Sequence, residues 1–155
     1  MKILMVCLGN ICRSPLAEGI LRHKANAMGL NWFVDSAGTN GYHIGEPPHR
    51  FSQKVALARG IDICQQRARR FKASDYQKFD FIIAMAGDVL EDIKSIAGRH
   101  YDPDRTHLLM NFLYEGSDMD VPDPWYGPEE GYYEVFDMID AACDKLIEKL
   151  LIYKQ

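Results

Sequence analysis

No stretch of this 155-residue chain approaches the ~20 consecutive apolar residues that a membrane-spanning helix needs. A bilayer is therefore not expected as a partner. The opening apolar run, residues 3–8 (ILMVCL), is too short for the core of a signal peptide and has no cleavage site after it, so the expectation is a cytoplasmic protein. Positive charge is in deficit: 18 Lys and Arg against 22 Asp and Glu leave a formal charge of −4. That balance gives no general affinity for a phosphate backbone, so no nucleic-acid partner is expected and any anion site must be local. Cysteine is sparse, four residues scattered as Cys7, Cys12, Cys64 and Cys143, unlike a secreted disulfide framework, and reduced thiols are the better assumption. The histidines at 23, 43, 49, 100 and 107 form neither an i, i+4 pair nor a Cys/His ligand spacing, which argues against a metal cofactor. Internal repeats, low-complexity tracts and linkers are also missing, and the length suits one domain spanning residues 1–155.

What is present is an alternation. Four short apolar runs, KILMVC, NWFVDS, FDFIIAM and THLLM, read as strands. Between them lie segments with helical spacing: Leu16, Ile20 and Leu21; Val55 and Ala56; Val89, Leu90 and Ile93 before Gly98. Such alternation predicts an α/β fold with a parallel sheet between helical layers, because parallel strands need crossover connections. Its site should lie beyond the carboxyl ends of the strands. Phe136, Ile139, Cys143, Leu146 and Leu150 form one apolar stripe on a closing helix. Cys64 and Cys143 are expected in the core. Two Gly- and Pro-rich stretches, residues 37–49 and 114–131, are too long for mere connections and are expected to carry function.

The chemistry concentrates in VCLGNICRSP, residues 6–15. With Pro15 in the first turn of a helix and Ser14 near its N-cap, residues 8–13 form a strand-to-helix loop. The N–H groups of such a loop converge with the positive end of the helix dipole into a cradle for a tetrahedral oxyanion. Leu8, Gly9, Asn10, Ile11, Cys12, Arg13 and Ser14 are the expected phosphate-binding residues. The same field favours the thiolate of Cys7 at its base, the nucleophilic form, and Ser14 is placed to donate to the sulfur. Arg13 offers a planar fork for two phosphoryl oxygens. Gly9 permits close or left-handed backbone approach, and Asn10 is a second candidate for positive φ. No Gly-Lys-Ser/Thr follows, so no nucleotide cofactor is implied. Expulsion of a phenoxide calls for a proton donor, and Asp118, Asp120 and Asp123 in the second long stretch are candidates.

VCLGNICRSPLAE resembles the signature of the low-molecular-weight protein tyrosine phosphatases, and VDSAGT, QRAR, FDFIIAM and VPDPWYG follow in that family's order over nearly the whole chain. The resemblance implies a four-stranded parallel sheet flanked by helices. It also implies metal-free hydrolysis of phosphotyrosine through a cysteinyl phosphate. It assigns Cys7 as nucleophile, Arg13 as phosphate clamp and Asp123 as general acid and base. It makes Tyr42, Trp125 and Tyr126 aromatic walls for an aryl ring and Ser36 a support for Asn10. Cys12 becomes a redox partner that captures oxidised Cys7 as a disulfide. Phosphotyrosyl proteins, a tyrosine kinase among them, are the implied partners, and a monomer is the default.

Two positions depart from the family pattern: Gln66 stands where a histidine commonly supports the loop asparagine, and Ala86 where an Asp usually follows the third strand. The basic run QQRARRFK, residues 65–72, reads as a solvated face, as a dock for acidic phosphopeptides or as a partner of the second long stretch that carries the candidate acids. Competing functions stay open at this point. A thioredoxin-coupled arsenate reductase needs further cysteines after the third strand, and AMAGDVLEDI has none. A protein arginine phosphatase resembles this chain but carries Thr at the position of Ile11. A phosphocysteine carrier has no use for the hydrolytic acid of VPDPWYG.

Overall fold

The computed structural model describes residues 1–153. Strands β1 (Lys2–Cys7), β2 (Phe33–Gly38), β3 (Phe81–Ala84) and β4 (Thr106–Leu108) form one parallel sheet in the order β2-β1-β3-β4. Each of the four apolar runs supplies one strand. Helices α1 (Arg13–Ala27), α2 (Arg50–Ala58), α3 (Asp75–Lys78), α4 (Gly87–Ala97), α5 (Met110–Leu113) and α6 (Glu130–Tyr153) provide the outer layers. Helices α3 and α5 are single turns of four residues, too short to show a helical period in the sequence.

Side chains alternate across a strand, and both faces of this sheet are buried. Ile3, Met5 and Cys7 of β1 join Phe81 and Ile83 of β3 beneath α1, α2 and α6, whereas Leu4, Val6, Ile82 and Ala84 face Val89 and Ile93 of α4 and Phe71, Tyr76 and Phe79 around α3. The stripe of α6 is buried at Phe136, Ile139, Cys143, Leu146 and Leu150. Cys64 departs from expectation. It is half-exposed because the chain after α2 runs irregularly, with Ile61 and Ile63 turned inward and the residues between and after them turned out.

The chain crosses from β2 over β1 to β3, so the connections diverge between β1 and β3 and leave a crevice at their carboxyl ends, where ligands bind in open sheets of this kind. The loop after β1 opens there. Among the described residues no helix is long and apolar enough to cross a membrane. Ile83, wholly buried in a central strand, tests the sheet's packing. Ile83→Ala should cost about 2–5 kcal/mol in urea unfolding.

Candidate active site

Residues 8–12 run from the end of β1 to α1 as an arch whose carbonyls are held from outside. Thr39 N–H donates to the Cys7 carbonyl (3.0 Å), Asn40 N–H to Leu8 (2.9 Å) and His49 N–H to Ile11 (2.8 Å), and Ser52 Oγ donates to Cys12 (3.1 Å). In a trans peptide the next residue's N–H points opposite to the carbonyl. Leu8, Gly9, Cys12 and Arg13 therefore turn their N–H groups to the concave side. Asn10 adopts the left-handed conformation (φ 59°), which its short polar side chain tolerates. Its N–H donates to Cys7 Sγ (3.3 Å). Gly9 instead allows close approach, since a Cβ there would lie 3.2 Å from His43 Cδ2.

Helix α1 begins at Arg13 with Cys12 at the N-cap and no side-chain cap bond. Ser14 thus lies within the first turn and not at the cap. Its Oγ is 2.9 Å from Cys7 Sγ and accepts from Asn10 Nδ2 (2.8 Å). The same amide donates to Ser36 Oγ (3.0 Å), which donates to Glu18 Oε1 (2.6 Å). Glu18 is also held by Arg22 (2.7 Å). Once ionised, Glu18 only accepts, which fixes the direction of the chain: Ser36 gives its proton to Glu18, Asn10 gives both of its amide protons to the serines, and the Ser14 proton is left for the sulfur. Burial pushes Glu18 above the usual carboxylate range, with Ser36 and Arg22 opposing it.

Gln66 plays no part in this chain. Its Nε2 donates to the Pro15 carbonyl (3.1 Å), and Asn10 Oδ1 accepts from the backbone N–H of Arg69 instead (3.0 Å). The Arg69 guanidinium pairs with Asp75 and Asp35 (3.1 and 3.2 Å). The basic run is thus partly committed to the fold and does not meet the second long stretch through Arg69. Cys12 is buried with its Sγ 3.6 Å from the Tyr132 hydroxyl, and burial pushes its thiol up to about 12 against the effect of that hydrogen bond.

The second long stretch closes the crevice. Arg13, only 4% exposed, donates through Nη1 to the Val121 carbonyl (3.0 Å) and faces Asp123 Oδ2 through Nη2 at 3.7 Å. Asp123 Oδ1 accepts from Trp125 N–H (3.1 Å), starting a 3₁₀ turn. Of the three candidate acids only Asp123 lines the cavity, about 210 Å³, together with Cys7, Ile11, Arg13, Tyr42 and Trp125. Asp118 pairs with Asn111 and Asp120 with the N–H of Gly87. Tyr42 and Tyr126 stand at the rim, 84% and 91% exposed. Trp125 rests on the rings of His43 and His49 (5.5 and 5.4 Å). Asn40 and His43 also line the cavity and were not singled out from the sequence, although both sit in the first Gly- and Pro-rich stretch. Glu18 gave no signal, because its role depends on Ser36 arriving from β2. Among the described residues no cluster of three or more His, Cys, Asp or Glu is placed to hold a metal ion.

A thiol in an arch of inward N–H groups, beside a buried arginine and a half-exposed carboxylate, is the arrangement for holding a tetrahedral phosphoryl group and attacking it. The sequence profile of the family described as low molecular weight phosphotyrosine protein phosphatase matches residues 2–154. The chain belongs to that family. A low molecular weight protein-tyrosine-phosphatase of Bacillus subtilis is 37% identical over 156 residues, covering 99% of this chain and 98% of the relative. The solved protein tyrosine phosphatase of Entamoeba histolytica superposes with a TM-score of 0.91 at 35% identity, covering 100% of this chain and 99% of its own. An arginine phosphatase of Drosophila superposes at 0.88 and 29% identity, covering 97% and 98%. The protein is accordingly a protein tyrosine phosphatase of low molecular weight, acting on phosphoproteins.

In this phosphatase Gly38 ends β2 against the arch: a Cβ there would lie 2.9 Å from the Leu8 carbonyl oxygen and 3.0 Å from Asn10 N. Backbone cannot yield as a side-chain tip can, so Gly38→Ala should weaken inhibition by inorganic phosphate at least about tenfold, read as Ki, while the circular dichroism stays native. Glu18 gives a pH signature. Its folded-state pKa lies above the unfolded value of 4.5, so the folded chain binds the extra proton between the two values. The stability this group contributes is full below 4.5 and is lost as pH rises through the folded value. Glu18→Gln should flatten that fall in urea titrations made at successive pH values.

Proposed function

We propose that this phosphatase hydrolyses phosphotyrosyl groups with Cys7 as nucleophile, Arg13 as clamp and Asp123 as acid and then base. The cradle and Arg13 hold the phosphoryl oxygens, and Cys7 Sγ attacks phosphorus, forming the S–P bond as the P–O bond to the tyrosine breaks. Asp123, entering protonated, gives its proton to the leaving phenolate oxygen. Water then attacks phosphorus, Asp123 takes one of its protons, the S–P bond breaks, and inorganic phosphate leaves with the thiolate restored. Leu8, Gly9, Asn10, Ile11, Cys12 and Ser14 line or brace the cradle, Ser36 holds Asn10, and Tyr42, Trp125 and Tyr126 flank the aryl ring. Cys12 serves as the resolving thiol when Cys7 is oxidised.

The observation that carries this reading is Cys7 Sγ, bonded by Asn10 N–H and Ser14 at the floor of a cavity that also holds Arg13 and Asp123. A monomer is the proposed working unit. A phosphotyrosyl protein, a tyrosine kinase among the candidates, is the partner, and a reducing cytoplasm suits the four free thiols. Ile11, buried against the cavity, favours an aryl ring over a guanidinium group, which separates this reading from that of the arginine phosphatase.

Wild type should hydrolyse p-nitrophenyl phosphate with a chelator present and release phosphate from phosphotyrosyl peptides far faster than from phosphoarginine. Cys7→Ser should abolish turnover. Asp123→Asn should lower kcat by about 10²–10⁴ while inorganic phosphate still inhibits. An unchanged kcat in Asp123→Asn removes that residue from the reaction, and preference for phosphoarginine reverses the substrate assignment.

A further inference from the structure

The segment that carries Asp123 leaves α5 and is fixed before it reaches the acid. Asn111 of α5 exchanges two hydrogen bonds with Asp118, which adopts a left-handed conformation (φ 53°). Val121 is fully buried, its N–H donating to the Met85 carbonyl (2.8 Å) and its carbonyl accepting from Arg13. Between them Asp120, itself exposed, places Oδ1 2.8 Å from the N–H of Gly87, the first residue of α4.

That bond answers a local deficiency. The first N–H groups of a helix lack intrahelical acceptors, and a side-chain oxygen at the N-cap commonly supplies one. The N-cap of α4 is Ala86, extended in the manner of a capping residue (φ −155°, ψ 163°) but without a side-chain oxygen. Within the first turn Asp88 Oδ1 accepts from Val89 N–H (2.8 Å), whereas the acceptor for Gly87 N–H comes from a residue 33 positions further along. A carboxylate is well suited to that place, facing the positive end of an eleven-residue helix. A cap supplied from the helix's own residue stabilises the helix alone. A cap supplied from Asp120 also ties the acid-bearing segment to the start of α4, three residues before Asp123.

We propose that Asp120 is a positioning residue for the general-acid step: capping α4 from a distance holds the segment in the register that brings Asp123 to Arg13. The proposal rests on Asp123 being the acid. General-acid help matters most when the leaving group is a strong base, so poor placement of Asp123 should harm phenyl phosphate more than p-nitrophenyl phosphate, whose leaving group is a far weaker base.

The test measures kcat/KM for both esters in wild type, Asp120→Ala, Asp120→Asn, the double variant Ala86→Ser with Asp120→Ala, and Asp123→Asn. Asp120→Ala should lose about tenfold on phenyl phosphate and under about twofold on p-nitrophenyl phosphate, the scale of a slightly misplaced group. Asp120→Asn, which keeps an acceptor oxygen, should recover most of the loss. The double variant supplies an N-cap oxygen from within α4, to the N–H of Asp88 or Val89 in place of that of Gly87, and should regain thermal stability while keeping the skewed ratio. Equal losses on the two esters, no loss at all, or a normal ratio in the double variant would each overturn the positioning role. A ratio unmoved by Asp123→Asn would instead reject Asp123 as the acid, a failure of the underlying reading that is separately visible.

Discussion

The site depends on the hydrogen bonds that draw the carbonyls of Cys7, Leu8, Ile11 and Cys12 outward. Peptide planes do not bend, so each carbonyl held from outside turns one N–H toward the centre. The inward turn of these N–H groups, on which the proposed phosphate binding rests, lasts only while Thr39, Asn40, His49 and Ser52 stay in place. The first irregular stretch is therefore scaffold as well as rim. Its two ends brace opposite sides of the arch, and Gly38 lets β2 lie against the arch without a side chain between them.

Arg13 joins this cradle to Asp123, the proposed acid. A buried guanidinium is stabilising only when its donors are met. Here one donor is committed to the Val121 carbonyl, Asp123 lies close by, and others remain for phosphoryl oxygens. Arg13 and the segment that carries Asp123 are consequently one mechanical unit. A change at Val121 acts on phosphate binding, and a change at Arg13 acts on the placement of Asp123.

The four strands were legible because each is a continuous apolar run buried on both faces, and α1, α4 and α6 because their apolar positions recur at helical spacing. Helices α3 and α5, one turn each, leave no period to read. Cys64 was misplaced because its sequence neighbours are apolar, whereas exposure alternates residue by residue between Ile61 and Cys64. The motif from Cys7 to Pro15 was legible as chemistry because its parts are contiguous. Glu18 and the cap that Asp120 makes were not, since each depends on a partner brought by the fold: Ser36 from β2 in one case, the N–H of Gly87 at the start of α4 in the other. Gln66 shows the converse. A departure at a position of known type drew attention, yet its amide turns to the Pro15 carbonyl and Asn10 is satisfied by Arg69.

The attachments at Asp118, Asp120 and Val121 divide the second irregular stretch into parts of unequal freedom. Residues 114–117 form an exposed turn, with Ser117 N–H donating to the Tyr114 carbonyl and Gly116 at φ 73°, anchored at its ends by Tyr114 N–H on Met110 and by the Ser117 hydroxyl on Asn111. Extra residues spliced into that turn would bulge into solvent and leave the pieces on either side where they are. One residue added between Asp118 and Asp123 would displace a bonded group whichever side it fell. Natural variation in length should therefore collect at residues 115 and 116, and a reporter peptide inserted there would travel with the enzyme without touching its chemistry.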